Sequence, residues 1–248
     1  MRTNRKLQRL HVAGALREGS CLALDKAQSH YLLNVLRMTQ DAELLVFNGR
    51  DGEWLATVER DGKRASLAVG RQTRPQKVPP DVRLCLAPVK SAHLEFAVQK
   101  ATELGASAIL PVVTAYTQIA APNLERMRAN AVEAAEQCGA LAVPDILEPV
   151  RMADWLQRRE VGRHLVFCDE AAAATDALSK LRKIASEPVD ILIGPEGGFS
   201  PEERETLLAL PNIVPISLGP RVLRAETAAL AALVLVQAAR GMAKDASE

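Results

Sequence analysis

Two stretches in the last third of the chain combine glycine turns with charged residues. The first, Ile191-Leu-Ile-Gly-Pro-Glu-Gly-Gly-Phe-Ser-Pro-Glu-Glu203, is an apolar strand, a glycine-rich turn and a helix start. Ser200 suits an N-cap, Pro201 the first helical position, and Glu203 the third position of a capping box. Glycines at the carboxyl end of a parallel strand let a ligand approach the backbone closely, although a lone turn of this kind is usually only a tight connection. The candidate ligand-binding residues here are Gly194, Gly197 and Gly198.

The second stretch is Ile216-Ser-Leu-Gly-Pro-Arg-Val-Leu-Arg-Ala-Glu-Thr-Ala-Ala229, again a strand that runs into a Gly-Pro turn. Arg221 and Arg224 lie three residues apart in the loop, and Glu226 opens an apolar helix. Arginine suits the recognition of phosphate or carboxylate because its guanidinium is planar and permanently charged. The alternative is that Arg224 and Glu226 pair with each other and only hold the loop.

Several common kinds of site are absent from the sequence. The first stretch lacks the Gly-Lys-Ser/Thr ending of a P-loop, and there is no G-x-G-x-x-G fingerprint. Four separated cysteines without a CxxC pair and four histidines without an HExxH pattern predict neither a metal site nor disulfides. The basic N-terminus is not followed by an apolar segment, so it does not have the pattern of a signal peptide. The apolar run Ala228–Val236 is too short to span a bilayer. We therefore expect a cytoplasmic protein without membrane contact.

Strands and helices alternate after residue 81, which predicts an α/β fold with a parallel sheet covered by helices. The predicted strands are Val82–Ala87, Ala108–Val113, His164–Cys168, Asp190–Gly194 and Ile213–Ser217. The predicted helices are Leu94–Leu104, Asn123–Cys138, Met152–Arg159, Asp176–Ala185, Pro201–Leu210 and Glu226–Arg240.

The first part of the chain has a different pattern, typical of a small β-rich barrel. Turn signals such as Asn48-Gly49 and Asp61-Gly62 separate short β-like runs. These runs are Arg9–Ala13, Cys21–Leu24, Leu44–Phe47, Trp54–Glu59 and Ser66–Gly70, with a predicted helix at Lys26–Arg37. Prolines at 75, 79 and 80 mark a linker, so we expect domains at 1–74 and 82–248 joined by residues 75–81.

Charge is unevenly divided between these two parts. Residues 1–76 carry 13 Lys and Arg against 8 Asp and Glu, and the remainder carries 18 against 22. A basic module on a mildly acidic body fits an anionic partner such as RNA, although a solvated basic face explains the charge equally well. The candidate phosphate contacts are Arg2, Arg5, Arg37 and Arg50.

Taken together, the motifs resemble a known family. "QKATELG", "EQCG…VP", "IGPEGGFSPEE" and "LGPRVLRAETAAL" follow one another in the order seen in the ribosomal small-subunit methyltransferase E family of the SPOUT superfamily. The N-terminal "HYLLNVLRM" and "VFNGRDGEW" are similar to the RNA-binding domain of that family. The resemblance covers nearly the whole chain.

The resemblance implies a PUA-like β-barrel, an α/β domain with a deep C-terminal trefoil knot, and a homodimer. It implies that S-adenosylmethionine binds in the knot and that N3 of a uridine in 16S rRNA is methylated, within an assembled small subunit. The implied cofactor-binding residues are Gly194, Gly197, Gly198, Leu218, Gly219, Leu223 and Arg224. For catalysis, Arg224 would stabilise negative charge on the uracil carbonyls, and Glu196 or Glu226 would accept the N3 proton.

The chain departs from the family pattern at several positions. His93 stands where a lysine is usual, Ala140 where arginine is frequent, with Ala142 shortly after, and Tyr116-Thr117-Gln118 replaces a loop that contains serine and arginine. Two alternatives stay open: a knotted methyltransferase that acts on ribose 2′-OH or on tRNA, and an RNA-binding assembly factor without catalytic activity.

Overall fold

The structure is a computed structural model that describes residues 7–172 and 176–241. Two of the predicted RNA contacts, Arg2 and Arg5, lie outside these residues. The chain divides into two compact units. Unit 1 comprises residues 1–78 together with 135–143, and unit 2 comprises residues 79–134 and 144–248. The assignment of 135–143 to unit 1 was not expected from the sequence.

Unit 1 is built on a five-stranded sheet in the order β1-β3-β4-β5-β2. Its strands are β1 Arg9–His11, β2 Cys21–Ala23, β3 Glu43–Phe47, β4 Glu53–Asp61 and β5 Arg64–Arg74. β1 pairs with β3 in parallel, and the other neighbours are antiparallel. Apolar residues of the sheet, among them Leu44, Val46 and Leu67, are fully buried and form the core of this unit with Leu32.

The predicted helix of unit 1 has two parts. The α-helix α1 spans Lys26–His30, and the Asp25 side chain caps it by accepting a hydrogen bond from the Gln28 backbone. A π-helical turn, Tyr31–Val35, continues it. The chain then leaves the helix at Arg37, whose φ of 55° lies in the left-handed region. Such a residue ends a helix as glycine commonly does.

Residues 135–143 join unit 1 through backbone carbonyls. The Arg9 guanidinium donates to the carbonyls of Ala135 and Ala140, the latter at 2.7 Å, and Arg74 Nη2 donates to the Gly139 carbonyl at 2.9 Å. Glu53 accepts from both arginines and holds them in place. The departure at Ala140 therefore sits where the chain uses a carbonyl oxygen rather than a side chain.

Unit 2 contains the predicted parallel sheet, in the order β12-β10-β11-β6-β7-β8, with β9 also paired to β7. Its strands are β6 Val82–Leu86, β7 Ala108–Val113, β8 Asp145–Ile146, β9 Val150–Arg151, β10 His164–Cys168, β11 Val189–Ile193 and β12 Ile213–Ile216. Its helices are α2 Ser91–Glu103, α3 Leu124–Cys138, α4 Met152–Arg158, α5 Ala177–Arg182, α6 Pro201–Leu208 and α7 Ala225–Ala239, and the last four residues of α3 belong to unit 1. The α/β fold with a parallel sheet is confirmed.

The sheet order brings the two glycine stretches together. β11 lies at the centre with β10 and β6 on either side, and all five of its residues are buried, as expected for a parallel strand covered on both faces. β12 pairs only with β10, and Pro215 is tolerated there because the strand has a free edge. The carboxyl ends of β10, β11 and β12 are therefore neighbours.

The other end of the sheet holds a buried charge cluster. Asp190, in β11, is fully buried and accepts from Arg163 Nε at 2.9 Å and from Arg159 Nε at 3.3 Å. Arg163 also forms a bidentate ion pair with Asp81, in which Nη1 and Nη2 donate to the two carboxylate oxygens at 2.7 and 2.9 Å. These bonds satisfy a carboxylate that would otherwise be unstable in an apolar strand.

The sequence predicted neither a membrane-spanning helix nor a metal site. Within 7–172 and 176–241, no helix has both the length and the apolar character needed to cross a bilayer. In the same part of the chain, no group of three or more His, Cys, Asp or Glu residues is arranged to hold a metal ion.

Candidate functional site

A cavity of about 780 Å³ opens in unit 2 at the carboxyl ends of β10, β11 and β12. Its walls come from the loops that follow these three strands, from α6 and from the first turns of α7. This is where ligands bind in open parallel sheets, and the volume falls within the range of small-molecule sites.

The cavity brings together residues from both glycine stretches. Its lining includes Gly194 and Gly198 from the first stretch, and Leu218, Gly219 and Leu223 from the second. The remaining predicted site residues are next to this lining along the chain but are not part of it. They are Glu196, Gly197, Arg224 and Glu226.

The three glycines of the first stretch are needed for three different reasons. A Cβ atom at Gly194 would lie 2.7 Å from the Phe199 ring, which leaves no room for a side chain. Gly198 has φ of 69°, a conformation that other residues rarely adopt. A Cβ atom at Gly197 would lie 3.3 Å from the Cβ atom of Tyr116, so this glycine accommodates a neighbouring loop.

Helix α6 fixes the far side of the glycine-rich loop. The predicted capping box is present: Ser200 Oγ accepts from the Glu203 backbone, and Glu203 Oε2 accepts from the Ser200 backbone at 3.0 Å. The second oxygen of Glu203 accepts from the Ala115 backbone at 2.7 Å. One carboxylate therefore holds both the helix start and the loop after β7.

The loop after β10 contributes residues that the sequence motifs did not indicate. Asp169 is almost completely buried, and Arg204 of α6 donates to it, with Nη2 at 2.9 Å from Oδ2. The same carboxylate accepts from the Ala171 backbone. Burial raises the pKa of the neighbouring Cys168 thiol to about 12, so the thiol is uncharged at neutral pH. Only the tertiary structure shows that the loop after β10 lines the cavity, because no local sequence pattern indicates it.

The start of α7 separates the two charged residues of the second stretch. Arg224 is the N-cap residue and is exposed, directly after the cavity-lining Leu223. Glu226 is buried and its Oε1 lies 2.8 Å from Nδ1 of His93, on α2. In the described part of the chain no ion pair joins Arg224 to Glu226, and the Glu226 carboxylate contacts His93 instead.

The two described RNA candidates of unit 1 have different surroundings. Arg37 is exposed and follows the π-helical turn in a left-handed conformation. Arg50 is also exposed, and its Nη2 donates to the Ala13 carbonyl at 2.9 Å. Arg50 lies in the loop between Asn48 and Asp51, and this bond connects that loop to the segment around Ala13.

Comparison with known proteins connects both units to RNA methylation enzymes. Residues 76–237 match the family described as RNA methyltransferase domain, and residues 24–69 match the RNA methyltransferase PUA domain. The ribosomal RNA small subunit methyltransferase E of Rickettsia conorii is 32% identical over 94% of this chain and 96% of its own. The enzyme of that name from Bacillus subtilis is 29% identical over 88% of this chain and 90% of its own.

A solved structure with the same name as these relatives is also similar to this chain in fold. The ribosomal RNA small subunit methyltransferase E of Neisseria gonorrhoeae, bound to S-adenosyl methionine, superposes with a TM-score of 0.83 and 27% identity. The match covers 94% of this chain and 97% of that one. The match to the methyltransferase-domain family over more than half of the chain, with close relatives along nearly its whole length, shows that the chain belongs to the ribosomal RNA small subunit methyltransferase E family.

Proposed function

We propose that this protein transfers a methyl group from S-adenosylmethionine to N3 of a specific uridine in 16S rRNA, in the assembled small subunit. The observation that carries the proposal is the cavity at the ends of β10, β11 and β12, which both glycine stretches line. The proposal includes a PUA-like β-barrel in unit 1, a deep trefoil knot in unit 2 of the SPOUT type, and a homodimer in the cytoplasm.

The cavity fits S-adenosylmethionine. Gly194 and Gly198 both line the cavity, and neither position suits a larger residue, since the Phe199 ring fills the space beside Gly194 and Gly198 has a positive φ. N–H and C=O groups of the two loops would read the adenine edge, and Leu218 and Leu223 would pack against its faces. When bound, the cofactor supplies a methyl group on a positively charged sulfonium, which is a strong electrophile.

The protein must then make N3 of the uridine a nucleophile, because the neutral N3–H group is a poor one. Arg224 carries a permanent charge on a fork that can bind the uracil carbonyls as negative charge develops on them. It follows the cavity-lining Leu223 at the N-cap position of α7, where its carbonyl accepts from the Ala228 backbone at 2.8 Å, so its backbone is well held. We therefore assign Arg224 to transition-state stabilisation.

Two carboxylates remain candidates for accepting the N3 proton. Glu196 is exposed in the glycine-rich loop between cavity-lining residues. Glu226 is buried and already bound by His93. The accessible position favours Glu196 as the proton acceptor, directly or through water, and Glu226 would act through the position of α7.

The RNA would be held mainly by unit 1. Arg37 and Arg50 are exposed and would contact phosphates, together with Arg2 and Arg5. Because the target base lies within structured RNA, it must leave its stack before its N3 atom can reach the cavity.

Mass spectrometry of modified RNA tests the proposal. Small subunits from a strain that lacks this protein are incubated with the purified protein and S-adenosylmethionine, and the RNA is digested to nucleosides. We expect 3-methyluridine from 16S rRNA and none from a tRNA control. A 2′-O-methyl nucleoside, or methylated tRNA, would replace the proposal by the first alternative.

Calorimetry with S-adenosylmethionine separates the remaining alternative. An assembly factor without catalytic activity would bind 16S rRNA. It would release no heat of binding with S-adenosylmethionine and would produce no methylated nucleoside. We expect cofactor binding in the absence of RNA, since every lining residue of the cavity belongs to unit 2.

A further inference from the structure

Tyr116 lies in an unusual position for an aromatic residue of this chain. The whole sequence contains only two Trp, two Tyr and four Phe residues. Among the described residues, only Tyr116 and Phe96 are aromatic and exposed, at 49% and 43%. Tyr116 is in the loop after β7, at the same end of the sheet as the candidate site.

The loop that carries Tyr116 is held at several points. The Thr117 hydroxyl accepts from the Thr114 backbone at 2.9 Å, and the two hydroxyls are 2.9 Å apart. The Thr117 backbone donates back to the Thr114 carbonyl at 3.1 Å. The Ala115 backbone donates to Glu203 of α6. The position of residue 116 is therefore largely fixed before any ligand arrives.

The side chain of Tyr116 lies against the glycine-rich loop. A Cβ atom at Gly197 would be 3.3 Å from the Tyr116 Cβ and 3.6 Å from its Cδ2. The next residue, Gly198, lines the cavity, and the preceding Glu196 is the candidate proton acceptor. Tyr116 thus places an exposed ring beside the loop at which the reaction is expected.

We propose that Tyr116 stacks against a base of the RNA next to the glycine-rich loop, and so positions the target nucleotide; this inference rests on the proposed function. An aromatic ring binds the face of any base, and holding it in advance reduces the entropy lost on binding.

Photocrosslinking and affinity measurements test the stacking role. The probe is a short single-stranded RNA that contains 5-iodouridine, which crosslinks to aromatic side chains stacked on it. We expect a crosslinked peptide that contains Tyr116. Tyr116→Leu should abolish this crosslink and weaken binding of the same RNA by about tenfold, within the range for loss of one stacked base. Tyr116→Phe should keep both, because the ring remains.

Two controls separate stacking from a packing role. An RNA of the same length with abasic residues has the same backbone charge but no base faces, so wild type and Tyr116→Leu should bind it equally. Phe96→Leu removes the other exposed aromatic ring and should leave RNA affinity unchanged. Cofactor binding by Tyr116→Leu, measured by calorimetry, should match that of the wild type.

The outcomes distinguish this inference from the proposed function. If the wild type methylates 16S rRNA while Tyr116→Leu binds RNA normally, the stacking role is overturned and the proposed function stands. An equal loss for abasic RNA, or for Phe96→Leu, would also overturn it. If Tyr116 crosslinks but the wild type transfers no methyl group, the stacking role stands and the proposed function fails.

Discussion

His93 on α2 and Glu226 on α7 form a hydrogen-bonding contact, with Nδ1 and Oε1 2.8 Å apart. The Glu226 side chain is about 10% exposed and that of His93 37% exposed, so the carboxylate is the buried partner. The pair joins the helix of the "QKATELG" motif to the helix of the "RAETAAL" motif. It also places a residue that departs from the family pattern in contact with a predicted site residue.

His93→Ala should lower the free energy of unfolding by about 1–3 kcal/mol, because Glu226 would then be buried without a partner. His93→Lys, which introduces the residue usual in the family, should retain most of the stability since an ammonium group can also bind the carboxylate. Urea unfolding of both variants measures this. Equal stability of wild type and His93→Ala would show that the contact contributes nothing.

Arg224→Lys should lower turnover by at least about tenfold, or on the order of 1.4 kcal/mol of barrier, because lysine keeps the charge but loses the planar fork. Cofactor affinity should change little. Turnover at saturating S-adenosylmethionine and calorimetry measure the two quantities. Glu226→Gln is the comparison, since that residue contacts His93 rather than Arg224. Wild-type turnover for Arg224→Lys would remove it from the catalytic residues.

Arg37→Gly should stabilise the fold and weaken RNA binding. Arg37 has φ of 55°, a conformation that costs a residue with a side chain about 1 kcal/mol more than glycine. Loss of one phosphate contact should also reduce the salt dependence of RNA binding by roughly one unit of slope. Asp41→Gly, at φ of 63° in the same unit, should stabilise without loss of RNA affinity. Unchanged RNA binding by Arg37→Gly would exclude this contact.

Asp81 should make stability depend on pH in the acid range. The hydrogen bond from Arg163 is the largest influence on its carboxyl group and holds its pKa below the usual value. A depressed pKa contributes stability above the unfolded-state pKa, roughly pH 4, and this contribution is lost as pH falls through the folded-state value.

Asp81→Asn tests this dependence. The wild type should be more stable than Asp81→Asn at pH 7, and the difference should shrink as pH falls below roughly 4. Thermal unfolding across this range measures it. Glu148→Gln, in an exposed pair with Arg128, serves as the control and should have little effect at any pH. A pH-independent difference for Asp81→Asn would contradict the assignment.

The homodimer prediction depends on helix α7. One side of the helix is buried within unit 2, through residues such as Ala229, Leu233 and Val236, while Val234 is 50% exposed. We expect a dimer in sedimentation at micromolar concentration and a monomer for Val234→Arg, because a buried unpaired charge opposes association. Val161→Arg, at another exposed valine, should remain a dimer. A monomeric wild type would contradict the prediction.

The sequence determined the features that depend on neighbouring residues. The apolar runs of β10 and β11, the capping box of α6 and the glycine turns act over a few positions. The structure has β10 and the capping box at the predicted residues and β11 one residue earlier than predicted. The strands β8 and β9 were not predicted because two residues are too few to produce a periodic pattern.

The tertiary structure decided which distant residues meet. Glu226 pairs with His93, 133 residues away, rather than with Arg224 two residues before it. Glu203 caps its own helix and also holds the loop of Tyr116, and the carbonyls of Ala135 and Ala140 accept from Arg9. Such contacts depend on the order of strands in the sheet and on the packing of helices against it. A local pattern of residue types carries no information on that order, because parallel strands with similar apolar runs are interchangeable until their connections and side chains pack.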